Sequence, residues 1–85
     1  MFIIKTHYVA TEANKNFAGE EQTWYSGKKG HTLSKNEMPV QFWINLYGYT
    51  TKASAMRGLK AAKELDAWEN KHGWWVRKSE LVEVA

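Results

Sequence analysis

The side chains of this 85-residue sequence best suited to chemistry are three histidines, two neighbouring glutamates and a short glycine–lysine run. His7, His31 and His72 fall in different segments. No two of them stand at the HxxxH or HExxH spacing that sets two imidazoles on one helical face for a metal ion. Each reads as a structural histidine. Glu20 and Glu21 are adjacent in a polar stretch with no partner base, the ordinary setting of solvated loop acids. The run SGKKGH, residues 26–31, lacks the GKS or GKT ending of a phosphate-cradling loop. The chain has no cysteine, which excludes disulfides and Cys-ligated zinc. A domain this small also leaves little room for a pocket of about 300 Å³. The expectation is a protein that is not an enzyme and holds no cofactor or metal.

Binding chemistry is better represented. Lys52, Arg57, Lys60, Lys63 and Lys71 fall on one side of a helical wheel drawn over residues 52–72, with Glu64 the single acid among them. Such a face is either a solvated helix exterior, a phosphate-facing footprint for nucleic acid, or a surface for an acidic protein. The second resource is aromatic. The chain carries five tryptophans and four tyrosines, and Trp74 and Trp75 are adjacent. In a strand, neighbours point to opposite faces of the sheet, so one of that pair is left without the cover given to the other.

The elements that position these residues follow from the periodicity. Residues 2–11 alternate with β-branched and aromatic types and read as a strand. The polar run 14–22 reads as a loop, and a second strand starts at Thr23, ending in a turn or bulge around Gly27 and Gly30. After a loop over 34–39, Val40, Phe42, Ile44 and Leu46 alternate with Gln41, Trp43, Asn45 and Tyr47. This period of two, with Gly48, favours a third strand over a short helix. Thr50 or Thr51 can cap a long helix from Lys52 to His72, and Gly73 supplies its stop. A last strand follows, with a bulge expected near 78–80.

These elements predict one α+β domain: an antiparallel sheet of three or four strands, in the order β-β-β-α-β, with one long helix packed on one face. On the wheel, Ala55, Leu59, Ala61, Ala62, Leu65 and Trp68 form the side toward the sheet, with Asp66 and Glu69 narrowing it. Trp74, Val76, Val82 and Val84 are the more apolar set of the last strand and are expected under the helix. Trp75, Arg77 and Leu81 would then lie opposite, beside Trp43, Tyr47 and one of Trp24 and Tyr25. Loops 13–22 and 34–39, with Phe17 as a plug, could seal part of that second face. Left open, it is an aromatic contact surface, with Trp43, Tyr47, Trp75 and Arg77 as candidates. A homodimer through this face is a version of the same idea, and base stacking another, although no RNP-type run is present.

Net charge is +3, which permits nucleic-acid contact without requiring it. The opening MFIIKTHYVA has an apolar run of only three residues before Lys5, and no run is long enough to cross a bilayer. A cytoplasmic location is expected.

The junction YTTKASAMRGLKAAKEL and the closing WWVRKSELVEV resemble small α+β proteins carried by phages and other mobile elements of bacteria. The resemblance covers little more than the final 37 residues. It implies a small host-takeover or anti-defence factor that binds a larger host protein or nucleoprotein complex and modulates or inhibits it. It transfers no functional residues.

Overall fold

A computed structural model describes residues 1–34 and 39–84. Four antiparallel strands, β1 (Phe2–Ala10), β2 (Glu21–Ser26), β3 (Thr32–Ser34) and β4 (Trp75–Glu83), form one sheet in the order β3-β2-β1-β4. Between β3 and β4 lie a short helix, α1 (Gln41–Tyr47), and a long one, α2 (Lys52–His72). The α+β class, the antiparallel sheet and the long helix agree with the sequence reading, and so do both ends of that helix. Thr51 caps it by accepting the Ser54 N–H at 3.2 Å. Gly73 stops it in a left-handed conformation, φ 78°, which an L side chain resists.

Ile3 and Ile4 carry the logic of the core. Neighbours in a strand point to opposite faces, yet these two are 0% and 1% exposed. Both faces of the sheet are therefore covered at this end. Ile4 lies under α2, where Gly58 brings the helix backbone down: a Cβ there would meet Ile4 Cδ1 and the Tyr49 hydroxyl. Ile3 packs with Tyr25 and Ile44, joined by the partly buried Met1, Trp43, Val82 and Val84. The cover on that second face is α1.

That helix occupies the segment expected to be a strand. Ile44 is its buried residue, and Trp43 and Tyr47, one turn apart, put their rings 5.6 Å from each other. Gln41 donates to Asn45 at 2.8 Å, a second pair at the same spacing. Phe42 is 73% exposed, and Leu46 is also exposed. The alternation that suggested a strand came from counting those two as core. The third strand is instead the three-residue β3, which pairs Thr32 with Ser26 and Leu33 with Tyr25. Gly27 lets α1 close on the β2–β3 turn, since a Cβ there would run into the Tyr47 carbonyl oxygen.

The second correction concerns β4. It pairs with β1 without interruption from Trp75 to Glu83, so the bulge expected near 78–80 is absent. Its odd-numbered residues, Trp75, Arg77, Ser79 and Leu81, share the face of Ile4, Thr6 and Tyr8. Arg77 and Ser79 make their side-chain contacts with α2. The even set chosen for its apolarity lies on the other side, where Val82 and Val84 approach Ile3 and Val76 is exposed. The inversion has a polar cause, because α2 meets β4 through Asp66 and Asn70 rather than through an apolar stripe. Ala55 and Leu59 are buried as expected, but Asp66 takes the next inward position while Ala61, Leu65 and Trp68 are exposed.

Candidate functional site

The α2–β4 contact is a polar network. The Ser79 N–H donates to Asp66 Oδ2 at 2.7 Å, and its hydroxyl donates to Asp66 Oδ1 at 2.8 Å. One turn on, Asn70 accepts the Arg77 N–H at 2.9 Å and donates to the Arg77 carbonyl at 3.3 Å. β4 is an edge strand, and these side chains satisfy backbone groups that an edge would otherwise leave open. Thr6 on β1 closes the network, its hydroxyl 2.9 Å from that of Ser79.

Arg77 is 7% exposed. Its Nε lies 3.2 Å from Asp66 Oδ1, and its guanidinium carbon sits 5.3 Å from the centre of the Tyr8 ring. Its Nη1, closed off from water, has no hydrogen-bond acceptor among the described residues.

This network seats α2 over β4 and β1. Strands lie about 4.8 Å apart and a helix is about 10 Å across, so one helix covers roughly two strands. On the α2 side, β2 and β3 are left beside an open groove of about 420 Å³. Tyr8 of β1 and Trp24 of β2 form its accessible floor, above the buried Ile4 and Thr6. Gly58, Ala61 and Leu65 of α2 contribute to one wall, and Arg77 is the single charged residue of the lining among the described residues. Trp68, 53% exposed, continues the apolar shoulder of α2 beyond Leu65 and stacks on His72 with ring centres 3.7 Å apart.

The four residues expected to form one aromatic contact surface are separated by the fold. Trp43 and Tyr47 are together on α1, half-buried, with Tyr47 also packed against His31 at 4.1 Å. Trp75 and Arg77 lie on the α2 side of the sheet. Trp75 is half-buried, edge-on to Tyr8 at 5.8 Å and stacked with Phe17 at 6.1 Å. The plug expected of Phe17 on the second face is not made: Phe17 is 46% exposed, and its contact with Trp75 lies on the α2 side of the sheet. The cover expected from loop 34–39 falls on residues 35–38, outside the described residues. On the second face, beyond the reach of α1, Lys5, His7, Lys78 and Glu80 line a shallow hollow of about 160 Å³, so this area is charged rather than aromatic.

Lys52, Arg57, Lys60, Lys63 and Lys71 are all exposed on α2. Among the described residues Arg77–Asp66 is the one Lys or Arg ion pair, so the five basic side chains carry no acidic partner there; His7 Nε2 lies 3.7 Å from Glu21 Oε1. The three histidines are well apart and each has a neighbour: Thr23 for His7, Tyr47 for His31 and Trp68 for His72.

Sequence reasoning missed the groove, and two residues carried a signal for it. Gly58 stands in the middle of a strong helix, where glycine costs about 1 kcal/mol relative to alanine and so marks a close approach. Asp66 falls on the apolar side of the wheel, where a carboxylate requires a buried partner. No helix among the described residues is long and apolar enough to cross a membrane. No protein family, no curated protein and no solved structure matches the chain.

Proposed function

We propose that this chain is a non-enzymatic interaction module that binds a partner protein through the groove and the exposed shoulder of α2. The observation that carries this reading is the half of the sheet that α2 leaves open among the described residues, an apolar floor flanked by Ala61, Leu65 and Trp68. Contiguous apolar surface with an exposed tryptophan is typical of contact sites. The resemblance of the C-terminal part to small mobile-element proteins adds the kind of partner: a larger host protein or nucleoprotein complex that the bound module modulates or inhibits. A photo-crosslinking amino acid placed at Ala61 in the producing cell should yield a discrete protein adduct, and the same group at Lys78 should not. No adduct at Ala61, or the same adduct from both positions, would overturn the reading.

A second reading, binding of nucleic acid through the outer face of α2, is favoured by the five exposed cations, which have no acidic partners among the described residues. It requires an affinity for DNA or RNA that falls steeply with salt. A mobility-shift series with no binding at low salt would remove it. A structural homodimer, the third reading, requires a sedimentation coefficient that rises with concentration.

A further inference from the structure

Resting on the interaction-module reading, we propose that the groove takes an acidic amphipathic helix of a partner protein, laid alongside α2, with one of its carboxylates meeting Arg77.

The shape of the site selects a helix. The uncovered strip over β2 and β3 is about one helix diameter wide. Its α2 wall carries Ala61 and Ala62, whose small side chains let a second helix approach at the close end of the usual 8–10 Å range. From Gly58 to Trp68 the wall runs about 15 Å, close to three helical turns. The occupant completes the helical layer that four strands call for and α2 alone does not supply.

Charge selects an acid. Arg77 is the only charged residue lining the groove, and its Nη1 donor has no acceptor among the described residues. A buried donor left unmet costs about 1–3 kcal/mol. A small shift of the guanidinium toward the groove lets an occupant carboxylate meet that donor, whereas a wholly apolar occupant leaves it unmet. The flank agrees: Lys28 and Lys29 lie between Gly27 and Gly30 at the end of the groove. The same charges disfavour a second copy as the occupant. Its α2 presents five cations and a single acid on the outward face, and its α1 has no carboxylate.

The test uses the whole chain and a displayed library of amphipathic peptides of about 14 residues, roughly four helical turns, in which polar positions sample acidic, amide and basic side chains. Binders should be enriched in Asp or Glu at one inward position and should fail to bind the Ala61→Arg variant, whose side chain fills the groove. For the best binder, changing that acid to its amide should weaken binding about tenfold, equivalent to about 1.4 kcal/mol. This comparison is made on the unaltered chain, so it does not depend on any variant folding. The penalty should vanish on the Arg77→Met, Asp66→Asn double variant, which separates contact with Arg77 from attraction to the basic flank. Groove-dependent binders without an acidic position, or no loss with the amide, would sink the inference while leaving the interaction module standing. The absence of binders, or binders indifferent to Ala61→Arg, would take the groove itself away.

Discussion

Asp66 accepts two hydrogen bonds from Ser79, one from its N–H and one from its hydroxyl, and so ties the middle of α2 to the edge strand β4. The same carboxylate is the only acidic partner of the buried Arg77 among the described residues. Its loss has two consequences, an unmet edge N–H and an uncompensated buried cation. Asp66→Ala is therefore expected to lower stability by about 3–5 kcal/mol in urea unfolding. Asp66→Ala combined with Arg77→Met should recover much of that, because removing both charges is far cheaper than removing one. Equal costs for the single and double changes would contradict this account of the pair.

The covering of both faces at one end of β1 is tested by a short scan. Ile3→Ala and Ile4→Ala should each cost about 2–5 kcal/mol, since each side chain is sealed under a different helix. His7→Ala and Val76→Ser, on the uncovered part of the second face, should stay within about 0.5 kcal/mol. A cheap Ile3→Ala would mean that α1 does not hold its place on the sheet in solution.

The packing of α1 on the β2–β3 turn has a sharper probe. Gly27→Ala places a methyl group against the Tyr47 carbonyl, and overpacking of this kind costs about 1–3 kcal/mol. Amide shifts in α1 should accompany the loss. Gly19→Ala serves as a comparison. It has open space around it and only its positive φ to strain it, so it should leave α1 undisturbed.

Two tryptophans should behave in opposite ways. Trp68→Ser, on the exposed shoulder of α2, should leave the melting temperature nearly unchanged and abolish the adduct formed from Ala61. Trp75→Ser, which loses contacts to both Tyr8 and Phe17, should cost about 1–3 kcal/mol and affect binding only through stability. A reversal of these two results would return the contact surface to Trp75.

What was legible in the sequence depended on local signals. The limits of α2 were readable because Thr51 and Gly73 act on their own neighbours. The α+β class followed from strand-like and helix-like periods in separate stretches. The segment 41–47 was misread because a period of two and a period of 3.6 overlap across seven residues. Only the packing of Ile44 on Ile3 and Tyr25 distinguishes them. The face of β4 was misread for a different reason. Apolarity ranks Val76 and Val82 above Arg77 and Ser79, but the polar residues of α2 had partners on β4 that no single-segment pattern reveals. The groove was invisible because it arises from where α2 sits across the sheet, a tertiary property that the helix's own residues do not announce.

The central strand β1 pairs with β4 along its whole length, joining Phe2 to Glu83. At synthesis rates of about 5–20 residues per second, roughly 4–16 s separate the emergence of Phe2 and Glu83 from the ribosome. Throughout that interval Ile3 and Ile4 have at most one flanking strand, so the nascent chain is open to chaperone capture until β4 arrives. A ribosome stalled before Trp75 should hold a protease-sensitive chain, however complete its first two strands.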